Sequence, residues 1–188
     1  AQTVPPCTLE ITDAETFARD WTVIDVNSDV SANTWAYNDG NAMYMQDKSN
    51  AADDWLIAPA VTLEAGKAYK VSAYVKHSST FGSDKQKIEL KIGTAPTVEG
   101  LTTRLVYDES FQSRLFVEKS GTFSPAESGV FYVGLRCYSE SYNGDLYFQK
   151  IVIEEAPVYP AQITDLSIVA GERGAMSATL SWTWPSSD

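Results

Sequence analysis

Histidine occurs once in this 188-residue sequence, as His77, and cysteine twice, as Cys7 and Cys137. Three soft ligands with no local spacing motif do not make a zinc site. Any Ser-His-Asp or Cys-His mechanism would have to run through His77 alone, and no Gly-x-Ser-x-Gly elbow accompanies it. Basic residues are also scarce: 14 Lys and Arg stand against 25 Asp and Glu, a net charge of −11. That sign excludes nucleic-acid binding and polybasic attachment to anionic lipid. No run approaches the roughly 18 apolar residues of a membrane-spanning helix. No basic-plus-apolar leader is present, so export would imply a leader already removed. No stretch sustains a helical period for three turns; residues 13–19 offer one turn at most.

What is present is a core-forming composition and a concentration of acid. Hydrophobic residues make up 44% of the chain, including 5 Trp, 10 Tyr and 7 Phe. That suffices for one domain of about 150 residues and leaves a remainder too short for a second. Residues 1–60 hold ten acids and two bases, a local charge of −8, while the rest of the chain carries −3.

The dominant period is two. Tyr69, Val71, Ala73 and Val75 share one face of a strand and Lys70, Ser72, Tyr74 and Lys76 the other. Ile88, Leu90 and Ile92 repeat the pattern against Lys87, Glu89 and Lys91. Phe131, Val133, Leu135 and Cys137 form a third apolar face, and Tyr147, Gln149, Ile151 and Ile153 a fourth. Turn signals separate these runs at Asp39-Gly40, Gly82-Ser83-Asp84, Glu99-Gly100, Ser120-Gly121 and Asn143-Gly144, the last predicting a tight hairpin. About ten short antiparallel strands with one apolar face each predict an all-β sandwich of jelly-roll type over residues 1–156. A proline-bracketed linker follows at 157–160. Residues 161–188 hold two further strands, with Ala178, Leu180, Trp182 and Trp184 on one face, too few to bury that face alone.

The passage Trp21-Thr-Val-Ile-Asp25-Val-Asn27-Ser-Asp29, followed by Thr34-Trp35, Asp53-Asp54-Trp55-Leu56-Ile57-Ala58-Pro59 and Gly66-Lys67-Ala68-Tyr69, resembles the cleaved-adhesin or choice-of-anchor J domains. The adhesin modules of gingipains belong to that group. Gly93-Thr-Ala-Pro96 and Phe131-Tyr-Val-Gly134-Leu add to the resemblance, which covers roughly residues 7–155. It implies a jelly roll, export to the cell surface or medium, a multidomain parent, structural calcium, and a non-catalytic role in adhesion to a host or matrix protein or glycan. Gln149 and Lys150 stand where the family usually carries an acid pair. Residues 160–185 are similar to the first strands of a fibronectin type III module, with Trp182 as its core tryptophan.

Asp25-x-Asn27-x-Asp29 is the foremost chemical candidate. Alternating carboxylate and amide oxygens can converge on calcium, with Asp54 completing the set and Asp53 or Glu15 as further donors; the same spacing also makes an Asx-rich turn. Asp53 and Asp54 cannot flank one glycosidic bond, because adjacent strand residues point to opposite faces. Trp55 is read as core, with a sugar platform as the alternative. Phe81, Tyr138 and Tyr142 are the candidate ligand contacts on loops. Cys7 and Cys137 either pair as a disulfide or leave Cys137 a buried thiol. Two rival functions remain open: a carbohydrate-binding module and a jelly-roll hydrolase using carboxylates.

Overall fold

The structure, a computed structural model, describes residues 3–29, 33–45, 48–79, 83–157, 167–170 and 178–181. The chain divides into two compact units, Ala1–Ala156 and Pro157–Asp188. The first unit contains β1 (Cys7–Glu10), α1 (Ala14–Asp20), β2 (Thr22–Asp25), β3 (Trp35–Asn38), β4 (Asn41–Tyr44), β5 (Asp54–Ile57) and β6 (Val61–Leu63). It continues through β7 (Tyr69–His77), β8 (Gln86–Gly93), β9 (Thr103–Phe111), β10 (Val117–Phe123), β11 (Gly129–Cys137) and β12 (Leu146–Glu155).

These strands form two antiparallel sheets. One has the order β10-β7-β12-β4-β3, with β1 also on β12; the other has the order β2-β5-β11-β8-β9, with β6 also on β11. The predicted jelly-roll sandwich is the fold observed. Its interior is filled by Val71, Ala73 and Val75 from β7, Ile88, Leu90 and Ile92 from β8, and Val133 and Leu135 from β11. Trp21 and Trp35 bury at its margin, edge-on to Phe148 and Tyr44 with ring centroids 5.3 and 6.0 Å apart.

Three local expectations differ from the structure. The segment after Asp13 completes a seven-residue helix, because Asp13 Oδ1 accepts the Thr16 amide at 2.8 Å and Phe17 docks into the core. In β12 the register slips between Phe148 and Lys150, a β-bulge at Gln149. The extra residue inverts the alternation, so Leu146 and Phe148 are buried with Ile151 and Ile153, and Tyr147 faces outward. Asn143-Gly144 does not join a hairpin, since β11 and β12 belong to different sheets. Asp39-Gly40 does: with φ of 45° and 74° these residues close β3 onto β4, where Asn38 pairs with Asn41.

Cys7 pairs with Ile153 in one sheet and Cys137 with Ile88 in the other, and both are free thiols. The disulfide alternative is thereby corrected. The Cys137 sulfur faces Gln86 Oε1 at 3.2 Å, and burial pushes its pKa up to about 12.

The second unit shows one antiparallel pair, β13 (Ser167–Ala170) and β14 (Ala178–Ser181), with Ile168, Val169 and Leu180 exposed. Trp182 and Trp184 lie outside the described residues. Among the described residues no helix is long and apolar enough to cross a membrane.

Candidate functional site

Pairing of β2 with β5 sets Asp25 opposite Asp54. The ladder extends one step further, through the Val26 amide donating to the Asp53 carbonyl at 2.9 Å. The chain then turns: Asp25 Oδ1 accepts the Ser28 amide at 2.7 Å, with Ser28 at φ 50°. The Asp25 carboxylate thus caps a turn three residues on, in keeping with the Asx-rich turn that the spacing also allows. Asn27 Nδ2 donates to the Ala51 carbonyl at 2.7 Å and to Asp29 Oδ2 at 3.0 Å. A carbonyl can only accept, so the amide nitrogen of Asn27 faces Asp29 and its oxygen points elsewhere.

Asp54 is fully buried. Its Oδ2 accepts the Asp53 amide at 3.1 Å, while its Oδ1 has no hydrogen-bond partner among the described residues. Burial raises its pKa to about 7, and the charges of Asp25 and Asp29 push the same way. The Thr34 side chain and the Asp53 amide act oppositely but do not cancel the effect. Thr34 Oγ1 itself is outside hydrogen-bond geometry.

The donor chemistry fits a hard cation. Asp25 and Asp29 both lie within electrostatic reach of Asp54, which has an oxygen without a hydrogen-bond partner among the described residues. The number of donors is short of calcium's six to eight. Among the described residues no three His, Cys, Asp or Glu side chains are already arranged around a common point. Asp53 turns to the opposite face and pairs with Arg136 Nε at 2.7 Å, and Glu15 is exposed on α1.

The outward face of the β2-β5-β11-β8-β9 sheet carries a second constellation. Strand register aligns Tyr107, Glu89, Arg136 and Trp55 in one row across β9, β8, β11 and β5. Glu89 is only 2% exposed and accepts from Arg104 Nε at 2.6 Å and Arg136 at 3.4 Å, with Lys91 Nζ at 3.7 Å. The Arg136 guanidinium lies over Trp55 and Tyr138, and Tyr138 stacks on Tyr107 with centroids 6.1 Å apart. Tyr107 is 51% exposed. Trp55 is buried in a small outer cluster with Ile57 and Leu101, beside Val98, so it is packed rather than displayed. Gly134 permits this, since a Cβ there would come 2.4 Å from Leu101 Cδ1.

The connection from β11 to β12 is pinned from beneath by a buried amide. Gln86 Nε2 donates to the carbonyls of Asn143 and Gly144, and its Oε1 accepts from Ser139 Oγ. Asn143 adds bonds from its Nδ2 to the Glu140 carbonyl at 2.9 Å and from the Lys85 amide to its Oδ1 at 3.0 Å. Tyr142, at the tip, is 63% exposed with φ 63°. A bulky residue held in the left-handed region and in solvent is a strained position. Phe81 lies outside the described residues. His77 is buried with Nε2 donating to the Asn143 carbonyl, which commits that nitrogen to a structural bond.

Glu89, Arg104, Arg136 and Tyr107 escaped the sequence reading. Alternation placed Glu89 and Lys91 on a wet face, and nothing in the spacing revealed that Arg136 stands beside them.

No family model and no curated protein sequence matches this chain. Solved structures do. The K1 cleaved adhesin domain of Lys-gingipain from Porphyromonas gingivalis W83 is 14% identical with a TM-score of 0.55, covering 80% of this chain and 99% of that domain. The K2 cleaved adhesin domain of Lys-gingipain is 15% identical with a TM-score of 0.55, covering 80% of this chain and all of that domain. Xylanase 10C from Cellvibrio japonicus, in complex with xylopentaose, is 11% identical with a TM-score of 0.52, covering 84% of this chain and 29% of that one. The jelly roll of cleaved adhesin domains is therefore the fold of this chain.

Proposed function

We propose that this chain is a non-catalytic binding module of a larger exported protein, which attaches to a host or matrix glycan or protein. The observation that carries the reading is Tyr142, an exposed aromatic held at positive φ on a connection braced by Gln86 and Asn143. An aromatic presented from a rigid backbone gives contact area at low entropic cost. Tyr138, stacked on Tyr107, extends the surface along the same connection; Phe81 remains a further candidate contact from the sequence alone. The likeness to cleaved adhesin domains supports an adhesive module at the level of fold. A neutral-glycan module is the second reading, favoured by the exposed Tyr107 beside Arg104.

Calcium is part of the proposal. Asp25, Asp29 and Asp54 would supply carboxylate oxygens to one ion. Asn27 would serve by bracing the loop through Ala51 unless its amide reorients. A glycan and matrix-protein array probed with the intact chain and with Tyr142→Ala tests the binding role. Signals lost in the variant support it, and an array equally bright for both sinks it.

A further inference from the structure

The acidity of the chain hides a small basic cavity. On the outward face of the β10-β7-β12-β4-β3 sheet, a cavity of about 310 Å³ is lined by Lys76, His77, Ser78, Arg114 and Tyr147. Strand pairing sets Lys76 directly beside Tyr147. The Lys76 ammonium sits 4.5 Å from the centre of the Tyr147 ring and 4.9 Å from that of Phe116. Arg114 is held by its Nε, which donates to the Ser79 carbonyl at 3.1 Å.

Neither cation has a carboxylate partner among the described residues, whereas Lys67, Lys70, Lys87, Arg104, Lys119 and Arg136 form ion pairs with acids distant in sequence or across a strand, and Lys91 pairs with Glu89 on its own strand. Lys48, Lys85 and Lys150 also form no ion pair among the described residues, but Lys76 and Arg114 are the two that line one cavity together. Asp84, near Ser79, is taken up by the hydroxyls of Ser79 and Ser83. Asp145 stands beside the cavity, its amide donating to Ser78 Oγ at 2.7 Å and its carbonyl accepting from the Ser78 amide at 2.9 Å; charges beyond about 8 Å are screened at physiological salt.

We infer that this cavity binds the carboxylate or sulfate group of an acidic saccharide. Both cations are positioned before the ligand arrives, so little side-chain entropy remains to be lost. The guanidinium nitrogens left over by the Ser79 bond offer a planar fork to an oxyanion. Tyr147 and Ser78 add hydroxyls, and the volume suits one or two sugar rings. An acidic peptide would favour an open strand edge for backbone pairing. Here β7 is paired on both sides, by β10 and β12, and β12 is paired on both sides too. The site rests on Lys76 and Arg114 and not on Tyr142, although its lining residues His77 and Ser78 also bond the connection that carries Tyr142; loss of either site leaves the other standing.

The test is calorimetric titration of the intact chain at about 150 mM NaCl, where that screening holds, with four probes: de-esterified polygalacturonate, its fully methyl-esterified form, chondroitin sulfate and poly-L-glutamate. An acidic polysaccharide should bind at least about tenfold more tightly than the methyl ester, a difference of about 1.4 kcal/mol. Preference for polygalacturonate assigns the carboxylate, and preference for chondroitin sulfate assigns the sulfate. Lys76→Gln and Arg114→Gln should each weaken binding roughly five- to tenfold, as loss of a charge-assisted bond does, with melting temperatures unchanged; Lys48→Gln, outside the cavity, should bind as the parent does. The inference is overturned by equal binding of the methyl ester, by poly-L-glutamate binding as tightly, by binding unaffected in the Lys76 and Arg114 variants, or by no binding of either acidic polysaccharide.

Discussion

Asp25 and Asp54 face each other across the β2–β5 ladder, two carboxylates in direct register with the second fully buried. Like charges opposite one another destabilise a sheet pair, and a buried carboxylate without a full set of partners is costlier still. Protonation of Asp54 or a bound cation would relieve both costs.

The first prediction follows from that choice. Folded Asp54 keeps its proton up to about pH 7, whereas the ordinary value is 3.8. The folded state therefore binds more protons between those values, and its stability falls as pH rises from about 4 to about 7. Above pH 7 the penalty is complete, on the order of 4 kcal/mol as an upper bound. In chelator, Asp54→Asn should raise the melting temperature at pH 8 and leave it unchanged at pH 4. Calcium at a hundredfold over its dissociation constant should restore about 2.7 kcal/mol to the parent at pH 8 and much less to the variant. A parent whose melting temperature ignores calcium at every pH would remove the ion from the proposal.

The second concerns Glu89, nearly fully buried among Arg104, Arg136 and Lys91. Glu89→Ala leaves three cations on one sheet face, with only Asp53 still bonded to Arg136. Breaking a buried pair from one side costs about 3–5 kcal/mol, whereas the Lys70–Glu118 pair is exposed enough to be worth about 1 kcal/mol or less. Urea midpoints of Glu89→Ala and Glu118→Ala should separate accordingly. Similar small losses in both would show that the Glu89 network carries no special weight.

The third separates two glycines. A Cβ on Gly93 would stand 1.8 Å from the Gly100 carbonyl oxygen, a backbone atom that cannot give way without moving the turn. A Cβ on Gly129 would meet nothing nearer than 4.0 Å. Gly93→Ala should lose about 3 kcal/mol or more, and Gly129→Ala should stay within about 1 kcal/mol of the parent. Denaturant melts read both values directly.

These sites show what the sequence could and could not convey. The apolar faces of β7, β8 and β11 are legible because burial on one side of a pleated strand imposes a period of two. The bulge at Gln149 is not, because one inserted residue leaves composition intact while inverting every side chain before it; unbroken alternation puts Tyr147 inward, and the bulge turns it out. Asp25, Asn27 and Asp29 were legible as a cluster. The orientation of the Asn27 amide was not, because the Ala51 carbonyl that fixes it lies 24 residues away. Glu89 read as a solvated strand residue, since alternation says which face a side chain joins and nothing about the long cations that cover it.

The fourth addresses the thiols. Cys137 is fully buried and its pKa is pushed up to about 12, so at pH 8 it is neither thiolate nor reachable. Cys7 is half-buried and less protected. Iodoacetamide on the native chain should give one adduct by mass, at Cys7, and two after denaturation. Reductant should change neither the mass nor the melting temperature. A 2 Da gain on reduction would reveal a disulfide and contradict the free thiols.

The fifth tests whether the β11–β12 connection is rigid for a purpose. Gln86 satisfies two loop carbonyls and the Ser139 hydroxyl from within the sandwich. Gln86→Ala strands those groups without partners, at about 1–3 kcal/mol for each that water cannot reach. Amide exchange over residues 138–145 should accelerate while the β7 and β8 amides stay protected below the unfolding transition. If Tyr142 works as a preorganised contact, ligand affinity should fall in Gln86→Ala although the ligand never touches Gln86, and most of the loss should appear as a penalty in binding entropy. An unaltered affinity alongside faster exchange would mean that Tyr142 contacts its partner without help from the brace, and that the left-handed tip is a feature of folding alone.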